Sequence, residues 1–396
     1  MATAANIVVT PVETPPPAAP PAPTTPGLVD GRVAEERVSV ASQWQLMWWR
    51  FRKHRLAMVS AGIVALFYLG VIFADFLAYA DPYASEGQRT LLPPQAIHLF
   101  DDGRFAPFVY GIKGERDLTT FKRVYVEDTS RKLYVRPFAT GFDYKLLGFI
   151  PTNMHLIGLD GAPTETNLFL LGGDLQGRDL WSRLMYSTQT SLTIGLVGVT
   201  LSLLFGVVLG GIAGYYGGFA DTVIQRLIEV LFSIPSIPLW MGLAAAMPRD
   251  WGIVQVYFAI TVIISLIGWT TLARVVRGRF LSLRDEDFVK AAELAGAGPR
   301  RIIFVHLAPL FLSHIIAATT LALPAMIISE TALSFLGLGL RPPAMSWGVL
   351  LQQAQNVQTV ALSPWLMIPA IPVTIVILAF NFLGDGLRDA ADPYGV

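Results

Sequence analysis

Residues 56–76 read LAMVSAGIVALFYLGVIFADF, and the only charged residue in this stretch, Asp75, lies next to its end. A helix needs roughly 20 mostly apolar residues to cross the hydrocarbon core of a bilayer, where no water can bind the backbone polar groups. The stretch therefore predicts a membrane-spanning helix. The composition agrees, because 53% of the residues are hydrophobic and only 15% are charged, unlike an ordinary soluble domain.

The residues before this run also favour a membrane protein. Residues 44–55 read WQLMWWRFRKHR, a mixture of aromatic and basic side chains that suits the lipid headgroup layer. Nucleic acid is the alternative partner for such a patch, but its attachment to a span and the balance of 29 acidic against 29 basic residues argue against it. Residues 1–43 are rich in Pro and Ala, so we expect a disordered cytoplasmic tail.

Five further apolar runs follow, and with the first they predict six membrane spans. An even number of spans places both termini on one side of the membrane. Glycine and proline interrupt the later runs, which fits either close helix packing or helices bent around a translocation path. The five runs cover residues 191–214, 227–247, 254–276, 314–336 and 364–382.

Basic residues in the short loops predict the orientation of these spans, because cytoplasmic loops are enriched in Lys and Arg. The loop between the fourth and fifth runs is rich in both, and four basic residues directly precede the first run. The short loops on the opposite side carry only Arg249 and Arg341. We therefore expect a multi-pass protein of a bacterial cytoplasmic (inner) membrane, with both termini and the loop 279–309 in the cytoplasm.

Residues 77–190 separate the first two spans and are too long for their basic residues to govern topology. Within this insertion, residues 121–126 and 132–138 alternate β-branched or aromatic residues with charged ones, and the sequence EDTS lies between them. Alternation of this kind, interrupted by turn-forming residues, is typical of a β-hairpin. The insertion is predicted to be a small extracytoplasmic subdomain that contains β-structure.

The loop between the fourth and fifth spans is the most informative stretch for function. Residues 285–309 read DEDFVKAAELAGAGPRRIIFVHLAP, which is too charged for a span. The small residues predict a short helix with a smooth face that ends at Gly298 and Pro299. A helix of this kind can dock into a groove of another protein.

This loop resembles the EAA loop of ABC importer permeases, in which Gly follows an EAA triplet by four residues and a Pro lies further on. In that family the loop forms a coupling helix that sits in a cleft of the cytoplasmic ATPase. The chain departs from the pattern, since Lys290 replaces the usual glutamate, and His306 and Ala308 replace the common Ile and Leu. The resemblance implies ATPase docking by Lys290, Ala291, Ala292, Glu293, Gly296, Ala297, Gly298 and Pro309.

Four further stretches extend the resemblance to the C-type permease of the dipeptide and oligopeptide branch. The resemblance implies an all-α integral membrane protein with six helices in the type I ABC importer permease arrangement, in which residues 191–396 form the permease core. It also implies three kinds of partner: a second permease subunit, one or two ATPase subunits and an extracytoplasmic substrate-binding protein. The long insertion departs from typical peptide permeases and leaves oligosaccharides as the alternative cargo. The four stretches are residues 173–182, 210–239, 330–348 and 381–393.

Several chemistries find no support in the sequence. The chain has no Cys and no HExxH spacing, so we expect neither a metal site nor catalytic residues. No Lys is followed by Ser or Thr, so a GxxxxGK[ST] phosphate loop is absent and ATP would be used by the partner ATPase.

An ion-driven secondary transporter is the alternative to an ATP-driven importer, but it is expected to carry ionisable groups within its spans. The predicted spans are nearly free of charge away from their ends. Glu330, within or at the end of the fifth span, is the candidate for gating or substrate contact. For Arg178 and Asp179, a pairing at the membrane surface is the simplest role.

Overall fold

The computed structural model describes residues 43–116, 123–160, 168–248, 250–307 and 312–391. Most of the predicted tail, Arg249 and Pro309 lie outside these ranges. Two compact units divide the chain, residues 1–49 and 50–396, and the described part of the first unit is the start of helix α1.

Helices make up most of the described chain. The helices are α1 Gln43–Lys53, α2 Arg55–Ile72, α3 Ala74–Leu77, α4 Leu180–Tyr216, α5 Gly218–Ser233, α6 Ser236–Ala245, α7 Ile253–Leu283, α8 Asp287–Leu294, α9 Pro299–Arg301, α10 Leu312–Phe335, α11 Trp347–Gln352, α12 Val357–Leu362 and α13 Ala370–Ala391. A π-helix covers Ile302–Leu307, and 3₁₀-helices cover Gly87–Arg89 and Pro364–Met367.

Within the described ranges, five helices are long and apolar enough to cross a membrane, and a bent pair gives a sixth span if counted as one. The bent pair is α5 and α6, which meet at an angle of 88°. The third predicted span, residues 227–247, falls on this bent pair, and the sequence had left open whether prolines bend the later spans. Pro235 lies at the break and forces Ile234 into an extended conformation, with φ −96° and ψ 125°.

Helix α4 is the central element of the membrane core, and it packs along α7. Two glycines of α4 allow the close approach. A Cβ atom on Gly210 would lie 2.5 Å from the Ala273 carbonyl oxygen, and one on Gly214 would lie 2.8 Å from the Arg277 carbonyl oxygen. Of the two alternatives for the glycine-rich runs, these positions therefore support close helix packing.

The insertion forms a four-stranded antiparallel sheet in the order β1-β2-β3-β4. The strands are β1 His98–Asp101, β2 Arg104–Arg116, β3 Arg123–Leu146 and β4 Ile150–Leu159. The predicted β-containing insertion is thus present, but the predicted hairpin around EDTS is wrong. Residues 132–138 and the described part of 121–126 belong to one strand, β3, and the turn-forming residues make a bulge where the register shifts between Tyr110 and Gly111 of β2.

A buried cluster of charged and polar groups joins the insertion to the start of α4. Asp174 is fully buried and accepts hydrogen bonds from Arg178 Nε at 2.8 Å and from Gln353 Nε2 at 3.2 Å. Asp179 caps α4 by accepting from the Ser182 backbone N–H at 2.7 Å. The predicted surface pairing of Arg178 with Asp179 is therefore wrong, because each has a different buried partner.

The burial of Asp179 makes stability depend on pH. Burial raises the pKa of this carboxyl from 3.8 to about 6, against the opposing hydrogen bonds from Ser182 and Tyr79. Because the folded pKa lies above the unfolded one, the protonated form stabilises the fold below about pH 4, and this contribution is lost as pH rises through about 6.

We expect the melting temperature of the purified protein to fall as the pH rises from about 4 to about 7, through a contribution on the order of 3 kcal/mol. The Asp179→Asn variant keeps a capping oxygen without a titratable group. Its melting temperature should change less over the same range. An equal pH dependence in both proteins would contradict the role assigned to Asp179.

Candidate functional site

The predicted docking helix exists as α8, which follows the long helix α7 after a short turn. An acidic residue, Asp287, lies in its first turn, where a negative charge is favourable next to the helix dipole. The amide of Gly296 donates to the Glu293 carbonyl at 2.9 Å, and that of Ala297 donates to the Ala292 carbonyl at 3.0 Å. These two bonds form a Schellman motif that ends the helix at Leu294. The predicted end at Gly298 and Pro299 is therefore wrong, because Gly296 already caps the helix.

Two glycines that the sequence grouped together have different local roles. Gly296 has φ +81°, the left-handed conformation that the Schellman motif requires and that glycine adopts without steric cost. Gly298 has an ordinary extended conformation with φ −73° and ψ 161°. A Cβ atom on Gly298 would meet no heavy atom of the described chain within 4 Å. Nothing in the described fold therefore requires glycine at position 298.

The inner face of α8 is held in an apolar cluster. Val289 is fully buried and packs with Val276 and Phe280 of α7 and with Ile302 and Leu307 of the π-helix. The same cluster reaches α4 and α10. A displacement of α8 would consequently be transmitted to several spans, because a close-packed core transmits strain.

Polar contacts reinforce this attachment. Glu293 accepts a hydrogen bond from the Tyr215 hydroxyl, near the end of α4, at 2.9 Å. Arg277 of α7 donates to both carboxylate oxygens of Asp221 in α5, with Nη2 at 2.6 Å from Oδ2. The first bond joins α8 to α4, and the second joins α7 to α5.

The outer face of α8 is exposed and carries most of the residues that the resemblance assigned to docking. Lys290, Ala291, Gly296 and Gly298 are exposed, and Ala292 and Ala297 are half-buried. Glu293 is also exposed, although its carboxylate binds Tyr215. The structure thus brings seven of the eight predicted docking residues together in one short segment, while Pro309 lies outside the described residues.

Two apolar side chains on this face were missed by the sequence analysis. Leu294 is 90% exposed and Phe288 is 41% exposed. The helical period could have identified them. Val289 faces the core, and Phe288 and Leu294 lie one residue before and five residues after it, outside the buried stripe of the helix. Large apolar groups held in water on a fixed helix are typical of a protein-binding surface.

Glu330 lies in a buried network of hydroxyl groups. Its side chain is 0% exposed, and its carboxylate accepts hydrogen bonds from Ser191 at 2.9 Å and Ser334 at 2.8 Å. The Ser191 hydroxyl also accepts from the Trp347 backbone N–H at 3.1 Å. Glu330 therefore joins α10, α4 and the start of α11, and the predicted role in gating or substrate contact stays a prediction.

Two family models match the chain. Residues 206–394 match the binding-protein-dependent transport system inner membrane component. Residues 42–94 match the N-terminal transmembrane domain of oligopeptide transport permease C. The two matches cover the first span and most of the later ones.

Several curated proteins are similar over most of their own length. The oligopeptide transport system permease protein OppC of Haemophilus influenzae is 39% identical over 236 residues, which cover 59% of this chain and 73% of that protein. The dipeptide transport system permease protein DppC of Bacillus subtilis is 35% identical over 305 residues, covering 72% of this chain and 92% of that protein. The glutathione transport system permease protein GsiD of Pectobacterium atrosepticum is 36% identical over 253 residues, covering 64% of this chain and 77% of that protein.

These matches confirm the predicted family and, with the apolar helices and the small sheet, the predicted fold class. They also agree with a multi-pass membrane protein whose family is a transporter component. The chain belongs to the permease subunits of binding-protein-dependent ABC importers, on the branch of the oligopeptide and dipeptide permeases.

Proposed function

We propose that this chain forms half of a translocation pathway for oligopeptides and that α8 couples this pathway to ATP hydrolysis on a partner ATPase. The observation that carries the proposal is the exposed outer face of α8, with Leu294 90% exposed, on a helix whose inner face is fixed to the spans through Val289. A surface that is exposed to a partner and rigidly joined to the membrane core suits a mechanical connection. The chain contributes a path and a two-state element, and ATP is used by the ATPase.

The docking residues proposed are those of the α8 segment. Small side chains on the outer face let the ATPase approach closely, and Leu294 and Phe288 offer apolar area at its centre. Lys290 stands where relatives of this kind commonly have glutamate, so a salt bridge made by that glutamate is not part of the proposal. The remaining proposed docking residues are Ala291, Ala292, Glu293, Gly296, Ala297 and Gly298.

A permease of this family works with an ATPase and other partner chains. We propose that the complete importer also contains a second, different permease subunit and one or two ATPase subunits. An extracytoplasmic substrate-binding protein delivers the cargo to it. We propose that both termini and α8 lie in the cytoplasm, because basic residues lie at the start of α2 and just after α8, such as Arg55 and Arg300.

Oligopeptides are the proposed cargo because the similar OppC and DppC proteins carry oligopeptide and dipeptide transport in their names. The test is ATP hydrolysis by the complete importer in proteoliposomes, with the binding protein loaded with a peptide mixture or with an oligosaccharide mixture. We expect stimulation by peptides only. Stimulation by oligosaccharides alone would reverse the cargo assignment and leave the coupling role of α8 intact.

Substitutions in α8 test the coupling role separately. Loss of stimulated hydrolysis with unchanged binding of cargo to the binding protein supports coupling through α8. Unchanged stimulation in such variants would contradict it.

A further inference from the structure

The hairpin formed by β3 and β4 ends in an apolar turn. Residues 146–150 read LLGFI, and Leu147, Phe149 and Ile150 are 47%, 70% and 44% exposed. The turn between β1 and β2 differs in character, because Asp101, Asp102 and Arg104 surround its exposed apolar residues. Apolar side chains that project from a turn are unfavourable in water.

The hairpin is fixed to the outer end of the first span. The Phe138 ring of β3 lies 6.3 Å from the Phe76 ring, measured between centroids. His155 of β4 is buried, and its Nδ1 and Nε2 lie 3.2 Å from the Asp75 carbonyl oxygen and 3.0 Å from the Phe142 carbonyl oxygen. These contacts set where the apolar turn lies relative to α2 and α3.

The turn adjoins an apolar groove that runs along the first span. Leu146 lines an apolar groove of about 830 Å³ together with Phe73 and Leu77, at the end of the first span, and with Trp181 at the start of α4. Leu66, further along the same groove, is 67% exposed on the outside of α2. Trp side chains are enriched at the level of the lipid headgroups, so this end of the groove lies at the membrane boundary.

The backbone of the turn points to the same environment. Leu147 has φ +55° and Gly148 has φ +82°, conformations that Asn and Gly adopt more readily than a branched apolar residue. A turn in water would gain from a polar residue at position 147. Lys145, one residue before the turn sequence, is exposed and can reach the headgroups.

We propose that the β3–β4 turn, residues 147–150, inserts into the lipid leaflet next to the first span, with phospholipid acyl chains around Leu147, Phe149 and Ile150. The inserted turn holds the sheet against the membrane surface beside the first span. This inference is independent of the cargo and of the docking role of α8.

The test uses single cysteines, because the chain has none of its own. Phe149→Cys is labelled with an environment-sensitive fluorophore in the full chain, assembled with its partner subunits and reconstituted in phospholipid vesicles. Phe105→Cys is the matched control, since Phe105 is 71% exposed at the polar β1–β2 turn. We expect spin-labelled phospholipids to quench the label at position 149 several-fold more strongly than the label at position 105, because interfacial apolar groups lie at the boundary of the acyl chains.

Iodide in the aqueous phase should quench the label at position 105 more strongly than the label at position 149. Two results would overturn the proposal. One is equal quenching of both labels by iodide with none by lipid, which would place the turn in water. The other is shielding of position 149 from both quenchers, which would place it under another protein.

Discussion

The Gly298→Trp variant is expected to lose ATPase association and transport while its own fold is retained. The backbone at Gly298 is in an ordinary conformation, and a side chain there meets open space in the described chain. Because a Cβ atom at position 298 meets no heavy atom of the described chain within 4 Å, we expect the indole to hinder a docked partner rather than the described fold. Overpacking an interface costs about 1–3 kcal/mol, so binding of the ATPase should weaken on the order of tenfold or more.

Co-purification of the ATPase with the variant in detergent measures this effect, and melting of the permease alone verifies its fold. Gly87→Trp is the matched control, because Gly87 is a similarly open glycine within the insertion. ATPase recovery should be normal in that control. Full recovery of the ATPase with Gly298→Trp would show that this end of the loop is not at the interface. Gly296 is a poorer probe, because its left-handed conformation caps α8 and a substitution would alter the helix itself.

The Glu330→Ala variant is expected to lose about 2–4 kcal/mol of stability, because it leaves a cavity and removes the acceptor of two buried hydroxyl groups. Those hydroxyls belong to Ser191 and Ser334. The contact between α4 and the start of α11 passes through Ser191, so this region should loosen first. The apparent melting temperature of the assembled complex should fall by several degrees.

Two further variants separate a structural role of Glu330 from a role in transport. Ser329→Ala removes a hydroxyl that bonds only to the preceding turn of its own helix, at the Ala325 carbonyl, and should leave the melting temperature nearly unchanged. Glu330→Gln keeps the side-chain volume and one acceptor oxygen, and it should melt between Glu330→Ala and the native protein. A Glu330→Ala protein that melts normally but does not transport would instead support gating or substrate contact.

Much of the fold follows from hydropathy, since the first, second, fourth, fifth and sixth runs all lie on long apolar helices. The length and apolar character of a run are enough to predict a span where the helix is straight. The third run does not form one continuous helix, because Pro235 breaks it. From sequence alone, a proline in an apolar run is compatible with either a kinked helix or a broken one. The 88° angle between α5 and α6 depends on tertiary packing that the sequence does not display.

The insertion was harder to predict than the spans. The composition of EDTS favours a turn, yet in β3 Glu127 and Asp128 pair with β2 and the bulge begins only at Thr129. Asp128 also forms an ion pair with Lys113 at 2.7 Å. Local composition does not distinguish a bulge from a turn, because both use residues that tolerate irregular backbone.

In the proposed docking segment the sequence predicts a set of residues but not their individual roles. Gly296 and Gly298 are equivalent as small residues, and only their φ angles separate a helix cap from an open position. The sequence does not reveal the 90% exposure of Leu294, because an apolar residue in a short helix is equally compatible with burial.

The most direct test of the coupling account is photo-crosslinking from Leu294→Cys in membranes that contain the complete importer. The chain has no other cysteine, so a benzophenone maleimide attached to the purified variant before it is reconstituted with its partner subunits reports on this position alone. We expect a crosslink to the ATPase subunit from position 294 and none from Phe105→Cys in the insertion. A label at position 294 that never reaches the ATPase, in a preparation that hydrolyses ATP and transports cargo, would contradict the account.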